Sequence, residues 1–309
     1  MARHKKTIQV PWRTFTNDLI MRYPRYAWNQ LSSLISWFRT DNALYGSMKG
    51  CSAAIRHGYW RGRRSEYLTE EETHSILSCF LSRREKHFSL FSVSDYKDTY
   101  IGKNLLPGGR DVYLKLYRIK DAPRRIRLRN VLRRCLARKS FVLFYELKKK
   151  NVRAVLPLFY VRKQGGWIPE EAIFASAGAG SDRTIKLLLA LPLAEEKRKR
   201  MLLNLGSYLA DLQCKGILYG ELYQNLIPVD RGAYWSFILC DLDEMRSIAE
   251  RRDFRHEKVL RILGQEIGKR GSALLSYFHW GYQRQGEIIH RNKSERKSQR
   301  TVRIRAGGS

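Results

Sequence analysis

The chain has 309 residues, with 59 Lys+Arg against 29 Asp+Glu and a formal net charge of +30. An apolar fraction of 43% with 12% aromatics is enough to bury a sizeable core, which excludes wholesale disorder, collagen, a coiled coil and a mini-protein. So strong a positive balance implies a polyanionic partner: nucleic acid, a phosphorylated glycolipid or an anionic membrane surface.

In chain order, Trp28, Leu31, Leu34, Ile35 and Phe38 recur at helical spacing and predict an amphipathic helix. It suits docking on a main domain or, with Arg22, Arg25 and Arg39 nearby, lying at a membrane interface. Cys51–Arg64 is rich in Gly, Arg and aromatics and reads as irregular. Thr69 and Glu72 form a capping box that starts a further helix. Residues 1–88 thus read as an N-terminal helical extension. From Phe88 the pattern turns to strands: Phe88–Val93, Thr99–Leu105 and Asp111–Tyr117, the last two separated by the turn Pro107-Gly108-Gly109. Between Arg118 and Lys139 stand ten Lys/Arg and one acid, followed by a helix through Phe141–Leu147. Arg153–Val161 and Glu171–Ala175 predict two more strands, and Gly178 and Gly180 a joint. Beyond it come a short helix (Ile185–Leu191), a long one (Glu195–Gln213, stopped by Gly216), strands at Leu226–Val229 and Trp235–Cys240, and a helix over about Lys258–Phe278. The basic tail after Arg284 reads as disordered. The expected organisation is a helical extension (1–88), a sheet lobe (89–177), a helical lobe (178–284) and the tail (285–309), an α+β fold with a cleft at the joint.

Cys51, Cys79, Cys135, Cys214 and Cys240 are odd in number and form no C-x-x-C pair or zinc spacing, so buried free thiols are expected. There is no apolar signal-peptide core near the N-terminus and no run of 18 apolar residues. A cytoplasmic protein is expected, or one held peripherally on the cytosolic face of the inner membrane. The seven histidines sit in no motif.

Three segments carry chemistry in combination. Asp111-Val-Tyr-Leu-Lys115-Leu-Tyr-Arg places a lysine in an apolar strand. Lys215-Gly-Ile-Leu-Tyr-Gly-Glu221-Leu-Tyr-Gln-Asn225 places a carboxylate and an amide in a helix-to-strand loop. Phe237-Ile-Leu-Cys-Asp241-Leu-Asp243 places carboxylates after a buried strand. Alone, each has an ordinary reading: a solvated edge lysine, a polar loop, a turn cap. In this order they supply what phosphoryl transfer requires, namely a cation for nucleotide phosphates, a carboxylate for the acceptor hydroxyl, and oxygen ligands for Mg²⁺.

On these segments the chain resembles the Kdo/WaaP lipopolysaccharide kinases, over roughly residues 90–280. Val112-Tyr-Leu-Lys-Leu-Tyr-Arg resembles the family's lysine strand, Asn151–Leu158 its entry into the fourth strand, Leu209–Leu222 its helix and catalytic loop, and Ile238–Arg246 its metal-binding aspartate. The resemblance implies a two-lobed protein-kinase-like fold and ATP- and Mg²⁺-dependent phosphorylation of a Kdo or heptose hydroxyl in the lipopolysaccharide inner core. It also implies residue roles: Lys115 on the nucleotide phosphates, Asp241 and Asn225 on Mg²⁺, and Glu221 at the base position. The sequence departs from that pattern at Glu221 (an aspartate in the family) and Tyr219 (a histidine), in a loop one residue shorter, and in having no G-x-G-x-x-G before Lys115, where Ser92–Thr99 stands. The helix position that should pair with Lys115 holds Ser140, with Glu146 on the same helix as a candidate substitute. A weakly active or inactive kinase-like protein that binds glycolipid or protein stays open. A nucleic-acid-binding protein is less favoured, for want of any recognisable module.

Overall fold

The structure, a computed structural model, describes residues 50–122, 136–163, 170–180, 183–219, 222–242, 245–247, 253–269 and 271–306. The amphipathic segment Trp28–Phe38, Glu221, Asp243 and Cys135 lie outside them.

The chain forms β1 (Ser52–His57), β2 (Trp60–Ser65), α1 (Glu70–Ser82), the single turn α2 (Arg84–His87), β3 (Ser89–Val93), β4 (Lys97–Leu106) and β5 (Arg110–Arg118). There follow α3 (Leu136–Lys149), β6 (Pro157–Lys163) and β7 (Glu171–Ala177). These strands make one antiparallel seven-stranded sheet in the order β1-β2-β6-β7-β5-β4-β3. Thr69 caps α1 as expected: its side chain accepts from the Glu72 N–H at 3.1 Å, and Glu72 accepts from the Thr69 N–H at 2.7 Å. Ile76, Leu77 and Phe80 of α1 cluster with Val112, Leu114 and Leu116 of β5. Strand alternation turns Tyr113, Lys115 and Tyr117 to the opposite face. There α3 packs, its Phe141 ring 5.2 Å from that of Tyr160 on β6.

The helical part contains α4 (Ile185–Ala190), α5 (Glu195–Cys214), β8 (Ile217–Tyr219), the turn α6 (Leu222–Asn225), β9 (Leu226–Asp230), β10 (Trp235–Leu239), β11 (Met245–Ser247), α7 (Asp253–Gly268) and α8 (Ser272–Ala306). β9 and β10 form one hairpin; β8 pairs with β11. The sheet is tied to this part by backbone: the Val155 N–H donates to Leu239 O at 2.9 Å and the Leu239 N–H to Arg153 O at 3.0 Å. α5 and α8 approach to backbone contact. A Cβ on Gly206 would lie 2.1 Å from Phe278 O, and one on Gly281 2.0 Å from Leu203 O.

The molecule is therefore the expected mixture of an antiparallel sheet and helices, with four local corrections. Residues 52–65, read as irregular and as part of a helical extension, are β1 and β2 of the main sheet. Their pairing is imposed by the neighbouring strand: a Cβ on Gly62 would sit 1.8 Å from Tyr160 O, so the glycine is what lets β2 lie against β6. The single helix expected over 258–278 is broken at Gly271, whose φ of +140° glycine alone adopts easily. The tail after Arg284 continues α8 to Ala306; Lys, Arg, Glu and Gln are good helix formers and no proline interrupts them. Cys51, Cys79 and Cys240 are half-buried and Cys214 is exposed, all as free thiols rather than the buried ones expected. Among the described residues no helix is long and apolar enough to cross a membrane.

Candidate functional site

Lys115 leaves the middle of β5, directly opposite Thr99 on β4 and Phe174 on β7. Its Nζ donates to Oδ1 of Asp241. The second oxygen of that carboxylate, Oδ2, lies 3.4 Å from Nζ of Lys97, at the start of β4. The three side chains are largely covered, at 12% exposure for Lys115, 15% for Lys97 and 25% for Asp241. Two cations thus share the Asp241 carboxylate. Asp241 stands just beyond β10 with φ +54°, a left-handed conformation that aspartate tolerates better than most residues. The preceding residue is fixed to the catalytic-loop candidate: the Cys240 N–H donates to Asn225 O at 2.9 Å, and Cys240 Sγ lies 3.1 Å from the same oxygen. Asp241 and the half-buried Asn225 are therefore neighbours through the backbone of Cys240.

The turn at 94–97 that leads into β4 is short and held from several sides. The Ser94 N–H and hydroxyl each donate to Lys97 O at 2.9 Å. Arg118 of β5 donates its backbone N–H to Tyr96 O at 2.8 Å and Nη2 to Ser94 O at 3.0 Å, and its Nη1 pairs with the buried Asp98.

Lys115 and Asp241 are brought together as the sequence pattern suggests, with Asn225 adjacent. Glu146 is not part of the group: it makes no ion pair with Lys115 among the described residues. The reason is helical geometry. At 100° per residue, Glu146 lies about 240° around α3 from Ser140. Ser140 is the buried position, 1% exposed, and its Oγ has no hydrogen-bond partner among the described residues. Glu221 lies outside the described residues, between β8 and α6. Sequence reading missed Lys97, which belongs to the site because β4 pairs with β5 so that Lys97 opposes Tyr117, two residues beyond Lys115 on the same face. The turn at 94–97 after a β-prone segment was the available signal.

The donor set can act in two ways. The lysines can hold an anion such as a phosphate. The Asp241 carboxylate with the Asn225 amide can hold a hard cation that keeps water or phosphate oxygens for its other positions, the habit of Mg²⁺. Among the described residues no group of three or more His, Cys, Asp or Glu forms a self-sufficient metal cage.

The fold class is thus an antiparallel sheet joined to a helical part, with a lysine–aspartate pair across the junction. No family model and no curated protein sequence matches the chain. Solved structures similar to it in fold include two at low identity. One is WaaP in complex with acyl carrier protein, at 11% identity and TM-score 0.46, covering 70% of this chain and 90% of that one. Another is the Rio2 kinase–ADP/Mg²⁺–phosphoaspartate complex from Chaetomium thermophilum, at 12% identity and TM-score 0.36, covering 80% of this chain and 85% of that one.

Proposed function

We propose that Lys97, Lys115 and Asp241 form the nucleotide-phosphate and metal site of an ATP-dependent kinase whose acceptor is a sugar hydroxyl, Kdo or heptose, of the lipopolysaccharide inner core. The observation that carries this reading is the meeting of a strand lysine of the sheet with the aspartate that follows β10 of the helical part. The family resemblance of these motifs supplies the acceptor class, and the net charge of +30 suits a phosphorylated glycolipid. In this reading Lys115 and Lys97 exchange the Asp241 carboxylate for phosphate oxygens. Asp241 and Asn225 would hold Mg²⁺, which neutralises the phosphates when bound. Glu221 would orient the acceptor hydroxyl and accept its proton. The site fits Mg²⁺ because its two hard-oxygen donors are backed by groups that can hold the phosphates.

The test is the unfolding temperature with and without Mg-ATP, in wild type, Lys115→Ala and Asp241→Asn. Ligand at 100 times Kd adds about 2.7 kcal/mol of stability, a shift of several degrees. A Mg²⁺-dependent shift lost in both variants is expected; no shift at millimolar Mg-ATP rejects the nucleotide site. A second reading, a nucleotide-binding protein with weak or no turnover, is favoured by one observation. Where an acid should anchor Lys115 there is Ser140, buried and without a partner. ADP formation that depends on the inner-core acceptor, with the γ-phosphoryl group recovered on the acceptor hydroxyl, separates the two readings.

A further inference from the structure

The register of the sheet aligns three arginines. Arg56 of β1 opposes Arg61 of β2, and Arg61 opposes Arg162 of β6, so one row across three adjacent strands is entirely guanidinium. Their chain neighbours Ile55, Trp60 and Val161 are buried in the cluster on the α1 side. The row therefore stands on the other face. Arg56 and Arg61 are exposed and Arg162 half-buried. Neighbouring strands are about 4.8 Å apart, so the three groups project from a line about 10 Å long. Like charges directly opposite on a sheet are destabilising. Among the described residues none of the three has an ion pair or a hydrogen bond to its side chain. The nearby acids are engaged elsewhere: Glu170 with Lys120 at 2.8 Å, and Glu171, on the other face, with Lys163 at 3.6 Å. At the tip of the β1–β2 hairpin, between Arg56 and Arg61 in the chain, Tyr59 is 78% exposed.

We propose that the Arg56–Arg61–Arg162 row with Tyr59 is a membrane-docking surface that takes the phosphates of anionic lipid headgroups. The charge is complementary, the row runs inward from the edge strand β1, and an exposed tyrosine beside it suits the headgroup layer. A single-stranded nucleic acid would be served by a platform of several exposed rings, and here the hairpin offers one. This surface is independent of the nucleotide reading: it uses none of Lys97, Lys115 and Asp241.

The experiment is co-sedimentation of the full chain with phosphatidylcholine vesicles, with and without phosphatidylglycerol. The variants are Arg56→Gln/Arg61→Gln/Arg162→Gln and, as a control of equal net charge, Arg83→Gln/Arg261→Gln/Arg291→Gln. Each basic residue at an anionic surface is worth about five-fold in partitioning, so the row variant is expected to lose on the order of 100-fold. The control is expected to stay within about three-fold of wild type. The row variant should also unfold at the wild-type temperature or above, because mutual repulsion has been removed, and should keep any Mg-ATP shift. Equal losses in both triple variants would overturn the proposal, since total charge would then explain binding. So would a row variant that keeps vesicle binding but loses tripolyphosphate or oligonucleotide binding, which would make the partner a soluble polyanion. A lower unfolding temperature in the row variant would make the arginines structural and overturn it as well.

Discussion

Replacing Asp241 by Asn removes a carboxylate shared by two largely covered lysines. At 3.4 Å and an effective dielectric near 20, the Lys97–Asp241 attraction alone is about 5 kcal/mol before solvation. Desolvation of the partly buried ions offsets much of it, at several kcal/mol per ion. What remains is asymmetric. Asp241→Asn takes a carboxylate from two ammonium groups at once and is expected to cost about 2–3 kcal/mol, below the ~3–5 kcal/mol of a fully buried pair because the carboxylate retains 25% exposure. Lys115→Met leaves Asp241 with Lys97 and is expected to cost about 1 kcal/mol. At about 2–4 °C per kcal/mol for domains of this size, the unfolding temperature should fall by roughly 4–12 °C for Asp241→Asn and roughly 2–4 °C for Lys115→Met. The double variant should be more stable than the sum of the singles predicts by about 1 kcal/mol or more. The assay is thermal or urea unfolding of the four proteins without ligand. Additivity within about 0.5 kcal/mol, or a Lys115→Met loss as large as that of Asp241→Asn, would refute a shared carboxylate.

Other outcomes follow from single contacts. Gly281→Ala forces a methyl into Leu203 O and should lower stability by about 1–3 kcal/mol, whereas Gly286→Ala, with nothing within 4 Å of its Cβ, should be neutral or raise it by up to about 1 kcal/mol; thermal unfolding of both checks this. Thr69→Ala breaks the capping box of α1 and should cost about 1 kcal/mol, read as a lower urea midpoint. Burial, and then the neighbouring His74, hold His57 below its ordinary value of 6.5, with Nδ1 of the two rings 2.8 Å apart. The folded state therefore binds this proton less readily than the unfolded chain. The contribution is complete above pH 6.5 and is lost as pH falls below it toward the lowered folded value. His57→Gln should flatten that part of the stability–pH curve, and an unchanged curve would dismiss the pair as its cause.

Locally encoded features were readable in the sequence. The Thr69 cap, the long helix ended by Gly216 and the apolar alternation around Lys115 each announce themselves within a few residues, and each is found in place. What escaped is fixed by long-range pairing. β1 and β2 contain four arginines and little alternation, and become strands because β6 supplies their hydrogen-bonding partner. Lys97 is unremarkable in a polar turn until the β4–β5 register sets it beside Lys115. Glu146 shares α3 with the position expected to anchor Lys115, but its angular position, six residues from Ser140, removes it. In the tail, charge density argued for disorder while the helix propensity of the same residues argued the other way, and propensity prevailed.

The grip of Arg118 on the Ser94–Lys97 turn bears on how a ligand is captured. A mobile flap closes on its cargo and surrenders conformational freedom on each encounter. Here that freedom was surrendered once, during folding, when Arg118 bound Asp98 and the carbonyl of Ser94. In the proposed nucleotide reading, an incoming anion would meet a standing socket and displace the Asp241 carboxylate from two lysines. Capture would then be an exchange of counter-ions, sensitive to ionic strength and nearly free of chain ordering.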